Sequence, residues 1–447
     1  MSVSSLQVFV GGRLTATLST TDGFEHNLTY HPNTRSEDFV SLLMPVRPKS
    51  WTWPTLHPFF QVSLPEGFLL GLLKEQLGPL LGSEPLDLLA VVGQNTVGRV
   101  QVSAQATLLD SVRRLDVEGL LHSADSTQLF TELLHTYAAS GISGVVPKFL
   151  TPETQALFRK GTLSTERHIV KGGSERLPFI ALNEHLCMEV ARRTGAAVPA
   201  TQVSDDGQVL VVERFDIDAA GARLGFEDCC SLLGLSPDDK YQSTWERVAR
   251  LVAEHVPATR LAEAREQLAI TLLLTYALGN ADCHTKNLGL LYSSLGDVRV
   301  APIYDMLTIR AYDSYARNDP GMYVGGVKSW TPGKAFWIFM QQSLGIEPKH
   351  QRELVDRVCT AVAEFFPVLL RHIRSTPGFN DTGGRMVREW HAGMQRLAAR
   401  RSIVVPDFLT AAGAQGVLVA GPARPTATVT GASSLLGRRG RRSKPAS

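Results

Sequence analysis

Cysteine is scarce in this chain and badly spaced for cross-linking: the five residues Cys187, Cys229, Cys230, Cys283 and Cys359 form no CxxC pair, and their number is odd. Neither a disulfide framework nor a zinc finger is expected, and a reducing compartment suits the chain. Charge of one sign is lacking too. Lys and Arg number 45 against 43 Asp and Glu, which leaves no chain-wide attraction to nucleic acid or to an acidic membrane. No uncharged apolar run reaches the ~18 residues that a membrane-spanning helix requires. The start, MSVSSLQVFVGG, carries no basic n-region, so export is not expected either. The expectation is a cytoplasmic protein with no membrane contact.

What is present reads as globular. Hydrophobic residues make up 44% of the chain and charged ones 20%, and 447 residues exceed a single ordinary core. Residues 1–125 alternate like short strands, as in LQVFVGGRLTATLS around its Gly-Gly turn. A helix is expected after Pro65 and Glu66 in FFQVSLPEGFLLGLLKEQLG, and NTVGRVQVS returns to strand. Residues 126–216 hold a glycine-containing segment, a strand at HIVK, the helix NEHLCMEVARRTG and a hairpin turning at Asp205 to Gly207. Residues 217–410 are dominated by helical periodicity, clearest in RLAEAREQLAITLLLTYALGN and RELVDRVCTAVAEFFPVLLRHI. Residues 411–447 shift to Ala, Gly, Pro, Ser, Thr and Arg and read as a disordered tail. Its basic cluster, Arg438, Arg439, Arg441, Arg442 and Lys444, is read as solvated.

The most informative stretch is GNADCHTKN, directly after the long apolar helix. Asp282 and Asn287 lie five apart (287 − 282), the interval between the catalytic Asp and the metal-holding Asn of protein-kinase catalytic loops. Lys286 is placed to neutralise charge on a transferring phosphoryl group. LGLLYSSLGDVRVAPIYD then reads as a hairpin that brings Asp305 back beside the loop, although Tyr304-Asp305-Met306 stands where kinases have Asp-Phe-Gly. An amide oxygen and a carboxylate are apt ligands for magnesium. A lone Gly-Asn-x-Asp is more often an ordinary helix end, so the weight rests on Asn287 and Asp305 falling in register with Asp282. Lys171 matches the strand lysine that contacts the α- and β-phosphates of ATP. Ser140 to Lys148 offers amides, hydroxyls and a lysine for phosphate oxygens. Each is commonplace alone and gains meaning from its order.

Together these segments resemble the HipA family of serine/threonine kinase toxins from bacterial toxin–antitoxin modules. The resemblance runs over roughly residues 5 to 400 through FFQVSLPEG, GISGVVPK, HIVK, LNEHLCMEVA, VVERFD, EDCCSLLGLSPDDKY, GNADCHTKN and APIYD, in the family's order. It implies an α+β, two-lobed kinase-like fold with an extra β-rich amino-terminal subdomain and a mostly helical large lobe. It also implies ATP and Mg2+ as cofactors, with Asp282 catalytic and Asn287 and Asp305 on the metal. The nucleotide would be bound by Ser143, Gly144, Val145, Val146, Pro147 and Lys148, by Lys171, by a hinge at Glu213, Arg214 and Phe215, by His284, Thr285, Lys286 and Asn287, and by Tyr304 and Asp305. Many relatives autophosphorylate a loop serine at the position that is Gly141 here, which leaves Ser143, or Ser140, as the implied site. Implied partners are a helix-turn-helix antitoxin of HipB type, with DNA reached only through that complex, and a protein substrate of the aminoacyl-tRNA synthetase class. Two other readings keep the fold: a pseudokinase that binds the antitoxin without transferring phosphate, and a kinase of a small-molecule or lipid acceptor.

Overall fold

The computed structural model describes residues 3–21, 25–64, 84–94, 96–108, 116–140, 161–165, 167–173, 176–398 and 405–416. The expected helix after Pro65, the glycine segment from 141 to 148 and the tail beyond 416 lie outside the described residues. Of the described residues, none belongs to a helix long and apolar enough to cross a membrane.

The amino-terminal unit is an antiparallel sheet of β1 (Ser5–Val10), β2 (Arg13–Thr20), β3 (His26–Tyr30), β4 (Trp51–Trp53) and β5 (Val100–Ser103), in the order β4-β3-β2-β1-β5. Val10 pairs with Arg13 across Gly11 and Gly12, the hairpin expected of that turn. Alternation puts Leu6, Val8, Val10, Ala16, Leu18 and Leu28 into one core with Val40, Met44 and Phe60.

The second unit begins with α1 (Ser126–Ser140) and carries a sheet of β6 (Gly161–Ser164), β7 (His168–Gly172), β8 (Thr201–Val203) and β9 (Val209–Glu213), ordered β6-β7-β9-β8. Helix α2 (Ile180–Arg193) lies on this sheet. Successive residues of β9 point to opposite faces. Val209 and Val211 meet Leu120, Leu121 and Phe130, while Leu210 and Val212 meet Ala181 of α2.

The large lobe opens with β10 (Gly225–Asp228) and then α3 (Trp245–His255) and α4 (Ala258–Leu278). A hairpin of β11 (Gly289–Ser294) and β12 (Asp297–Val300) completes the sheet β10-β11-β12. Helices α5 (Lys334–Gln342), α6 (Pro348–Ser375), α7 (Asn380–Ala398) and α8 (Phe408–Ala414) follow. From Leu268 to Leu278 every residue of α4 is buried, because α6 and α7 cover it and an all-round apolar helix must lie inside. Helix α8 runs across residue 411 to Ala414. Asp407 caps α8 through Thr410 N, and Phe408 stacks on Phe366 at 4.1 Å, which ties the helix to α6.

Two buried joints fasten the units together. The Arg214 guanidinium donates to Asp216 at 2.9 Å and to the carbonyls of Thr165 and Thr96 at 3.0 and 3.1 Å, while Gly98 N donates to Asp216 at 2.6 Å. Glu227 of β10 accepts from Leu42 N, the Ser41 hydroxyl and the Tyr292 hydroxyl, each at 2.7 Å. Burial pushes its carboxyl up to about 7 against those three donors. Side-chain exposure is 1% for Arg214 and 0% for Asp216. Arg214→Met therefore strands a buried carboxylate, and the expected cost is about 3–5 kcal/mol in a denaturant titration. An unchanged midpoint would show that Asp216 finds other partners.

Candidate active site

Lys171 sits on β7 one residue before the strand ends. Its ammonium faces α2 rather than solvent and forms an ion pair with Glu184, whose side chain is 1% exposed. It also donates to Asp305 Oδ1 at 2.9 Å. Two carboxylates, one from α2 and one from the large lobe, therefore fix a single cation between them. A long flexible side chain held at both sides is preorganised for a phosphate oxygen.

The loop after α4 is shaped by its own side chains. Gly279, at φ +70°, ends the helix in the left-handed region that a side chain disfavours. Asp282 N then donates to Asn280 Oδ1 at 3.1 Å. His284 N donates to Asn287 Oδ1 at 3.0 Å, closing a short turn over Thr285–Asn287. Thr285 donates twice to the Lys240 carbonyl, through N at 3.2 Å and Oγ1 at 2.9 Å. Asp282 remains accessible, with its side chain 35% exposed, and its Oδ1 accepts from the Tyr241 hydroxyl.

The β11–β12 hairpin turns where expected and returns the chain to this loop. Asp305 has φ +56°, one of two described non-glycine residues with positive φ, a conformation costing about 1–3 kcal/mol. The strain aims its carboxylate inward. Oδ2 accepts from Asn287 Nδ2 at 2.8 Å while Oδ1 takes Lys171. The sequence-expected Lys171, Asn287 and Asp305 thus form one connected group, and Asp282 lies on the same loop as Asn287. Magnesium takes oxygen ligands, so the Asp305 carboxylate is the fitting group as it stands, whereas Asn287 turns its amide nitrogen to Asp305 and its oxygen to His284 N and would offer the metal the second lone pair of that oxygen.

The hinge residues divide. Phe215 stacks on Tyr304 at 5.3 Å with Phe226 edge-on to that ring at 5.9 Å, an apolar platform of the kind a planar base stacks on. Tyr304 is tied down by its hydroxyl on the Lys286 carbonyl at 2.8 Å, and burial raises its phenol well above the usual 10. Glu213 is exposed at the end of β9, whereas Arg214 is committed to the joint described above. Cys283 faces the core, its thiol pushed up to about 12 by burial, which leaves it protonated and a poor nucleophile or metal ligand. Of the expected loop serines, Ser140 is the last residue of α1 and Ser143 lies outside the described residues.

Two side chains escaped the sequence reading. Glu184 had a signal, since the helix NEHLCMEVA directly follows the lysine strand and its acid recurs where kinases place the partner of that lysine. Tyr241 closes the quoted segment EDCCSLLGLSPDDKY, but nothing in that segment tied it to Asp282, which lies 41 residues on and meets it only through folding.

Family comparison covers both halves of the chain. Residues 140–365 match the HipA-like C-terminal domain and residues 6–103 the HipA N-terminal domain. Two Sinorhizobium fredii proteins named as candidate kinases are similar. Y4dM is 28% identical over 295 residues, covering 62% of this chain and 67% of the relative, and Y4mE is 30% identical over 307 residues, covering 61% and 69%. The solved Shewanella oneidensis HipA, in complex with HipB and operator DNA, superimposes with a TM-score of 0.62 at 17% identity. That match spans 88% of this chain and 97% of the HipA chain, and at that identity it establishes the fold alone.

Proposed function

From the premise that this chain belongs to the HipA family, we propose that it is an ATP- and magnesium-dependent kinase of serine or threonine hydroxyls on protein. The observation that carries this reading is the connected group of Glu184, Lys171, Asp305 and Asn287, with Asp282 on the same loop as Asn287. Magnesium, when bound, neutralises phosphate charge. Lys171 holds the α- and β-phosphate oxygens, Glu184 keeps Lys171 in place, and Phe215 with Tyr304 supplies a stacking face for the base. His284, Thr285 and Lys286 line the nucleotide beside Asn287. Asp282 accepts the proton of the acceptor hydroxyl as its oxygen attacks the γ-phosphorus and the bond to the β-phosphate oxygen breaks. The segment from Ser143 to Lys148 covers the phosphates in this reading, and Ser143 or Ser140 is the site of self-modification.

The family context adds a toxin role: a HipB-type antitoxin as partner, DNA contact through that partner, and translation inhibited through an aminoacyl-tRNA synthetase in the cytoplasm. The chemistry is tested first. Full-length protein with magnesium and γ-labelled ATP is mixed with bacterial extract, and acid-precipitable label is followed with time. Magnesium-dependent label on protein is expected. Nucleotide binding without transfer to any acceptor would replace this reading with that of a pseudokinase, and label confined to small molecules or lipids would move the acceptor class.

A further inference from the structure

The strongest contact not yet explained joins the proposed base to a distant tyrosine. Tyr241 donates its phenolic proton to Asp282 Oδ1 from a turn just before α3, and that turn is fastened on several sides. The neighbouring Lys240 carbonyl receives both donors of Thr285. The Tyr241 ring meets the His284 ring edge-on at 4.9 Å and 77°. Its own carbonyl accepts from Lys328 Nζ at 3.4 Å. Two residues on, Ser243 O accepts from Tyr323 N at 3.3 Å and Trp245 N donates to Tyr323 O at 3.0 Å.

The segment that carries Tyr323 and Lys328 is itself pressed against the catalytic loop. A Cβ added at Gly321 would stand 2.3 Å from the Cys283 carbonyl oxygen, closer than non-bonded atoms allow. The turn that carries the phenol is thus fixed both to the catalytic loop and to the segment bearing Tyr323, an arrangement that suits a fixed support better than a gate. A carboxylate offers about four lone-pair sites; Tyr241 donates to Oδ1, and His284 Nε2 stands 4.0 Å from the same oxygen. The carboxylate is thereby held in one orientation while retaining capacity for the proton of an acceptor.

We propose that Tyr241 is a positioning residue for Asp282: its hydroxyl holds the carboxylate in the orientation that receives the proton of the acceptor hydroxyl. The inference rests on the kinase reading and deepens it. It assigns Tyr241 no contact with ATP, because Lys171, Asn287 and Asp305 make their bonds to one another without it.

Tyr241→Phe tests the hydroxyl alone, since the ring and its edge-on contact with His284 are kept. Initial rates of label transfer from γ-labelled magnesium-ATP into acid-precipitable protein of bacterial extract are compared with the parent at saturating nucleotide. Affinity for a non-hydrolysable ATP analogue is measured by calorimetry on the same samples. The expected result is a rate lowered by roughly tenfold or more, the worth of one hydrogen bond to a charged group, with KM for ATP and analogue affinity unchanged. Tyr241→Leu should fall no less. A Phe variant as fast as the parent overturns the inference, as does one that is faster, which would make the phenol a stand-in that blocks the acceptor's place. Loss of analogue affinity together with rate would make the role structural and overturn it too. A parent that transfers no phosphate fails on its own, before any variant is compared, and takes the kinase reading and this inference with it.

Discussion

Asp282→Asn is expected to lower phosphoryl transfer by about 10²–10⁴-fold while the protein folds and binds nucleotide as before. The amide keeps the size of the carboxylate and can still accept from Tyr241 through its oxygen, so the loop geometry built by Asn280, Thr285 and Asn287 has no reason to change. What it loses is basicity and charge. The attacking hydroxyl then has no strong acceptor for its proton at the moment the new bond to phosphorus forms. Single-turnover transfer from γ-labelled ATP, run beside calorimetry with a non-hydrolysable analogue, separates the two effects. A well-folded Asp282→Asn protein with near-parental transfer would remove this residue from the mechanism.

Asp305→Ala is expected to act at the other step. In the folded chain its carboxylate takes Lys171 on one oxygen and Asn287 on the other, so its removal deletes the only charged oxygen ligand proposed for the metal and leaves Lys171 to Glu184. The parent should bind ATP more tightly with magnesium than without it. The variant should lose that difference, with affinity for magnesium-ATP lower by at least about tenfold, the scale of one charged ligand. Stability should suffer less than affinity, because the side chain is only partly buried. Binding of magnesium-ATP as tight as the parent's would require another metal ligand.

Much of the architecture is legible in the residues themselves. The Gly-Gly turn of the first hairpin, the Asp-Asp-Gly turn between β8 and β9, the wholly apolar stretch of α4 and the hairpin before Asp305 all depend on local chemistry and periodicity. Those signals operate within one element and survive without tertiary context. The five-residue interval from Asp282 to Asn287 is of the same kind, since a short turn closed by Asn287 itself sets where both side chains emerge. The boundary expected at residue 411 was less legible, since α8 runs across it from Phe408 to Ala414.

Left to itself, the sequence determined which groups are available for chemistry, their order along the chain and the elements that bear them, because each follows from bonds within a few residues. Tertiary structure decided how they are coupled. Lys171 lies 13 residues from Glu184 and 134 from Asp305, and Tyr241 lies 41 from Asp282, separations across which no local preference acts. The burial of the Arg214 guanidinium in the joint between units was likewise settled by packing. An arginine in VVERFD can serve a hinge or a core equally well, and the carbonyls of Thr96 and Thr165 with the carboxylate of Asp216 engage all three of its nitrogens inside the protein. Long-range pairs of this type form only where hydrophobic packing of three separate cores has already brought their elements together.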